Sequence, residues 1–137
     1  MVALAFGGED FSAELGAPPT FAALGQACQQ VAYAAAGAGV GAMGVPASIG
    51  EFRDLGAWRA GLEQARAMGM TGAMCVHPDQ LAHANAAFTP SAEETAHAEA
   101  VLEAWDAAVS GVAALEGKMI DAPVAARARR VLAARKG

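Results

Sequence analysis

Glu9 and Asp10 are the first residues with the means to do chemistry. They close "VALAFGGEDF" (2–11), a short apolar run, two glycines and then adjacent carboxylates. A strand ending this way would deliver two hard oxygen donors to the mouth of a sheet. Mg2+ suits such donors, since it takes one or two protein carboxylates and fills its octahedron with water and substrate oxygens. Two further clusters follow runs of similar character, Pro46-Ala47-Ser48 and His77-Pro78-Asp79-Gln80. In α/β folds ligands bind at the carboxyl ends of the strands, so all three clusters are expected on one rim. Taken singly, an acidic pair after a strand is more often a helix cap or a solvated loop. A lone histidine there is more often satisfied in place than a ligand.

The elements that must position these residues alternate. Residues 2–6 read as a buried strand ended by Gly7-Gly8. A loop containing Pro18-Pro19 leads to a helix over 20–36, with Phe21, Leu24, Cys28 and Val31 at helical spacing and Gly37 as its stop. "VGAMGVP" (40–46) is a second strand, and 52–69 a second helix with Leu55, Trp58, Leu62 and Ala65 on one face. "GAMCVH" (72–77) is a third strand and 79–88 a short helix. This order means βα units on a parallel sheet. A helix capped by Thr89 or Ser91 follows, its apolar positions being Val101, Leu102, Trp105 and Val109. Strand-like "VAALEG" and a last helix with Pro123 in its first turn complete the chain.

Three parallel strands leave both sheet edges open, and parallel sheets normally lie buried on both faces. The expected fold class is therefore α/β, the C-terminal part of a (β/α)8 barrel (about three βα units) at 1–88, followed by a helical lid or oligomerisation segment at 89–137.

Composition narrows the partners. The chain has 137 residues, 55% of them hydrophobic, which suits one modest globular core. A net charge of -5 argues against nucleic acid, because phosphate neutralisation needs a basic surface. The basic stretch "ARARRVLAARK" reads as a cationic helix end. With no apolar run of membrane-spanning length and no basic leader before the first strand, the expectation is a cytoplasmic protein without a membrane partner. Cys28 and Cys75 lie outside any CxxC or His/Cys cluster, so two buried free thiols are expected.

"AFGGEDFSAELG", "FRDL", "GMTGAMCVHPDQLAHANAAFTPSAEE" and "LEGKMIDAPVAARARRVL" strongly resemble the citrate lyase beta-subunit family of the HpcH/HpaI aldolase superfamily, over nearly the whole chain and in motif order. That resemblance implies a (β/α)8 enzyme that cleaves or condenses acyl-CoA esters of hydroxy acids with Mg2+, of the malyl-CoA or citramalyl-CoA lyase type, assembled as a trimer with lid exchange. It places a metal-ligand role on Asp10, with Glu9 supporting it. It places Val76, His77, Pro78 and Gln80 near the CoA channel. It makes Asp121 of "GKMIDAP" a catalytic residue on a C-terminal lid, where it could also cap the last helix ahead of Pro123. The family's other metal-binding glutamate and its substrate-gripping arginine have no counterpart in these residues, so about half of a site is expected. Met43-Gly44-Val45 stand where many relatives carry an acid, which puts citrate itself in doubt as substrate. The alternatives are a related acyl-CoA thioesterase, or a non-catalytic assembly module that keeps the fold.

Overall fold

The computed structural model describes residues 2–108 and 111–135. Val109, one of the apolar positions expected in the tail helix, lies outside them. The chain divides into two compact units, Met1–Phe88 and Thr89–Gly137.

The first unit runs β1 (Ala3–Ala5), α1 (Gly8–Leu15), α2 (Phe21–Ala38), β2 (Gly41–Met43), α3 (Leu55–Ala67) and α4 (Pro78–Phe88). β1 and β2 are parallel, with Ala3 opposite Gly41 and Ala5 opposite Met43. The helical spacing of α2 buries Leu24, Cys28, Ala32 and Ala35 against Phe6 and Ala42 of the strand layer. Trp58, Leu62 and Ala65 of α3 complete this core. Phe21, at the start of α2, is instead 49% exposed.

The second unit runs α5 (Ala92–Ala107), β3 (Ala113–Leu115), β4 (Lys118–Ile120) and α6 (Ala122–Ala134). Ser91 caps α5 in a reciprocal capping box with Glu94. β3 and β4 form an antiparallel hairpin whose turn, Glu116-Gly117, has φ of 51° and 76°. Ala98, Val101, Ile120 and Ala128 form its core. The whole is a mixed, helix-rich α/β chain. No helix among the described residues is long and apolar enough to cross a membrane.

Four expectations about elements change. The third strand shrinks to a single parallel bridge between Gly72 and Met43. Beyond it the amides of Val76 and His77 are spent on the side chain of Gln80 and are not available to a ladder. The loop expected after β1 contains α1, an eight-residue helix stopped by Gly16 in the left-handed conformation. α2 runs past Gly37 and stops at Gly39, which takes the left-handed cap with φ 67°. β4 was not expected, although two residues with positive φ are what a two-residue hairpin turn requires.

Candidate functional site

Glu9 and Asp10 occupy the first turn of α1, directly after β1. Their side chains have different fates. Glu9 is half-buried, and its Oε1 accepts from the Ser48 hydroxyl (2.6 Å) and from the backbone N–H groups of Ile49 (2.9 Å) and Gly50 (3.2 Å). The Ser48 hydroxyl is the main reason its carboxyl titrates below the usual range; burial opposes this, and the Gly50 and Ile49 amides reinforce it. Asp10 is exposed and folds back over Gly7, where an added Cβ would stand 3.3 Å from Asp10 Oδ2.

Gln80 is fully buried at the start of α4. Its Oε1 accepts from Val76 N–H (2.9 Å) and His77 N–H (3.1 Å), and its Nε2 donates to the Ile49 carbonyl (3.0 Å). The carboxamide is thus committed within the protein. Val76 is exposed. The His77 ring stacks on Phe52 at 4.4 Å between centroids, and the Arg53 guanidinium lies 5.5 Å from the centre of the same Phe52 ring. His77 Nδ1 accepts from Asp79 N–H at 3.2 Å, which orients the imidazole. Pro78 is exposed in the first turn of α4.

A continuous set of bonds therefore joins the three clusters: Glu9 to Ser48, Ile49 and Gly50; Ile49 to Gln80; Gln80 to Val76 and His77. Phe52 and Arg53 belong to this group and were not singled out from the sequence. Their only signal there was their place in "FRDL".

For a divalent cation this chain offers Asp10, an exposed carboxylate not committed to the 48–50 loop. Glu9 Oε1 already accepts three hydrogen bonds. Among the described residues no group of three His, Cys, Asp or Glu side chains is placed to hold a metal. One carboxylate from this chain fits Mg2+, which needs only one or two from protein.

Asp121 lies in the second unit, between β4 and α6. It caps α6, with Oδ1 accepting from Val124 N–H at 3.1 Å and a proline in the first turn. Two cavities include none of these residues. One of ≈ 310 Å³ is lined by Arg59, Leu62, Glu63, Arg66, His83 and neighbouring alanines, and one of ≈ 140 Å³ lies between α5 and α6.

No model of a known protein family matches the chain. Its sequence is 39% identical over 132 residues to the citrate lyase subunit beta-like protein of Deinococcus radiodurans, covering 93% of this chain and 46% of that protein. It is 35% identical over 95 residues to the L-malyl-CoA/beta-methylmalyl-CoA lyase of Cereibacter sphaeroides, covering 67% of this chain and 30% of that protein. The fold matches that of the CitE protein from Mycobacterium tuberculosis, solved with magnesium, acetoacetate and coenzyme A. That likeness has a TM-score of 0.76 at 26% identity and covers 97% of this chain and 51% of that one. Fold and sequence together make the chain a homologue of CoA-ester lyases. Its homologues include citrate lyase beta-like and malyl-CoA lyase proteins, and it spans about half the length, or less, of these relatives.

Proposed function

We propose that this chain supplies part of the active site of a Mg2+-dependent carbon-carbon lyase acting on acyl-CoA esters of hydroxy acids. The observation that carries this reading is the bonded rim, which links the Glu9-Asp10 turn, the 48–50 loop and the 76–78 turn at the ends of successive βα units. In this reading residues 1–88 are the C-terminal part of a (β/α)8 barrel. Val76, His77 and Pro78 form one wall of the CoA channel, and Gln80 holds that wall from behind.

Asp10 would hold the ion, with Glu9 fixing the turn that presents it. When bound, Mg2+ acts as a Lewis acid on the oxygens of the 2-oxo acid product and stabilises the charge that develops there. Cleavage breaks the bond between the carbinol carbon and the carbon next to the thioester. The hydroxyl proton leaves, a 2-oxo acid forms, and the thioester α-carbon must be protonated. Asp121, on a lid segment supplied to a neighbouring subunit of a trimer, is the group assigned to that proton.

The test is a chimera in which this chain replaces the matching stretch of the Cereibacter sphaeroides lyase. The expected result is Mg2+-dependent release of a 2-oxo acid from malyl-CoA or a related ester, abolished by Asp10→Asn with the fold intact. Retained turnover in Asp10→Asn removes Asp10 from the site. Release of free CoA without a 2-oxo acid assigns thioester hydrolysis instead.

A further inference from the structure

Glu9 and Gln80 hold the 48–50 loop from two sides, meeting at Ile49. Glu9 takes the hydroxyl of Ser48 and the amides of Ile49 and Gly50, while Gln80 takes the carbonyl of Ile49 and, with its other end, the amides of Val76 and His77. We propose that Glu9, Ser48 and Gln80 are positioning residues: their clamp on residues 48–50 fixes the first turn of α1, and with it Asp10, relative to the 76–78 turn. The proposal rests on the rim being an acyl-CoA lyase site, and gives Glu9 a role distinct from that of Asp10.

α1 needs such a clamp. It has eight residues, and its N-cap, Gly7, has no side chain to satisfy the first amides. Three contacts hold its start instead. Gly8 is pressed onto the core, where an added Cβ would meet Leu24 Cδ1 at 3.3 Å. The Ser12 hydroxyl donates to the Glu9 carbonyl at 2.9 Å. The Glu9 carboxylate reaches across to the 48–50 loop. Asp10 is the next residue of the same turn, so any rocking of α1 moves its carboxylate as well. Glu9 Oε1, which already accepts three hydrogen bonds, has little left to offer a cation, so any ligand role for Glu9 would fall to Oε2 alone.

Gln80 is suited to the other end. Buried without exposure, its carboxamide donates to one loop and accepts from another, a combination that neither a carboxylate nor an apolar side chain provides. No buried side-chain nitrogen or oxygen among the described residues lacks a partner, so the junction leaves no buried side-chain polar atom unsatisfied.

The test has two readouts. In amide NMR spectra of the chain, Glu9→Met, which keeps the length but removes the acceptor, is expected to shift the Ile49 and Gly50 resonances and to raise their hydrogen exchange about tenfold or more, as local opening becomes easier. Gln80→Met is expected to do the same at Val76 and His77. In the active chimera, Ser48→Ala is expected to lower kcat about tenfold or more through misplacement of Asp10, with KM for the acyl-CoA ester within about threefold, and Ser48→Thr to restore it. Ser48→Ala removes one hydroxyl and keeps the proposal testable if Glu9→Met or Gln80→Met does not fold. Ile49 and Gly50 amides unmoved by Glu9→Met would overturn the clamp. So would Mg2+ binding, measured by titration calorimetry on the chimera, weakened in Glu9→Gln as far as in Asp10→Asn, which would make Glu9 a ligand. If the chimera cleaves no ester, the lyase reading fails, while the amide measurements still decide the clamp.

Discussion

The indole N–H of Trp58 donates to the backbone carbonyl of Gln80 across 3.2 Å, from a side chain that is only 2% exposed. α3 is thereby tied to the residue whose carboxamide joins the rim loops, so core packing and rim geometry meet at one position. Trp58→Phe removes this hydrogen bond and leaves a void where the second ring was. The expected cost is about 2 kcal/mol, rising to about 3–5 kcal/mol in Trp58→Ala. Urea unfolding followed by circular dichroism should show a lower midpoint with an unchanged slope.

Cys28 gives a pH dependence. It is fully buried in the core of the first unit, and burial pushes its thiol from 9.0 up to about 11. The folded chain therefore holds the proton where the unfolded chain has begun to release it. The stability this contributes is fully present below pH 9 and is lost as pH rises through about 11. Wild type should lose of order 2 kcal/mol relative to Cys28→Ala over that window, measured by urea unfolding at each pH. At pH 8 in the native state, Cys28 should resist a thiol reagent that reaches it at once after unfolding. Cys75, half-buried and also raised by burial, should react at an intermediate rate.

Much of the arrangement was legible in the sequence because single residues carried it. Leu24 and Cys28 showed their burial through helical spacing, and the cap of α5 was narrowed to Thr89 or Ser91, of which Ser91 takes it. What remained hidden depended on partners distant in sequence. Glu9 and Asp10 look alike as neighbours in "GGED". Only the approach of Ser48, thirty-nine positions away, turns one into a loop clamp and leaves the other exposed. Gln80 read as a residue facing a ligand, yet it is spent on Val76, His77 and Ile49. The 72–77 stretch has strand composition, but a ladder needs a neighbour and free amides, and the amides of Val76 and His77 are taken by Gln80. α1 was missed because its acidic first turn was read for chemistry and its eight residues hold too few apolar positions to show a period.

Gly44 tests the packing of the parallel strands. Its φ is 149°, and an added Cβ would stand 2.9 Å from Phe6 Cβ and 3.2 Å from the Phe6 carbonyl oxygen. Neither neighbour is the tip of a flexible side chain, and Phe6 N–H is itself bonded to the Met43 carbonyl at 2.8 Å. Gly44→Ala therefore combines backbone strain with a clash between β1 and β2, and is expected to cost about 2–4 kcal/mol. Gly37→Ala is its control, since nothing lies within 4 Å of an added Cβ there. In the last turn of α2 that change should stabilise by a few tenths of a kcal/mol. Equal effects of the two substitutions in thermal unfolding would contradict this reading of the junction.

Asp121 allows its two roles to be separated, because an N-cap needs an oxygen and proton transfer needs a carboxyl group. Oδ1 accepts from Val124 N–H at 3.1 Å, and asparagine offers an equivalent acceptor at the same reach. Asp121→Asn should therefore keep the stability of α6 within a few tenths of a kcal/mol, whereas Asp121→Ala should lose about 1 kcal/mol. If Asp121 also protonates the thioester α-carbon, both variants should lower kcat in the active chimera by similar factors despite their different stabilities, with little change in the Mg2+ requirement. The lid-exchange reading adds that mixing Asp121→Asn with Asp10→Asn subunits should restore part of the activity, since some hybrid sites then contain both carboxylates. An Asp121→Asn protein with full turnover would leave Asp121 as the cap of α6 alone. Loss of turnover in Asp121→Asn with no recovery on mixing, once subunit exchange is demonstrated, would place its carboxylate in its own subunit's site.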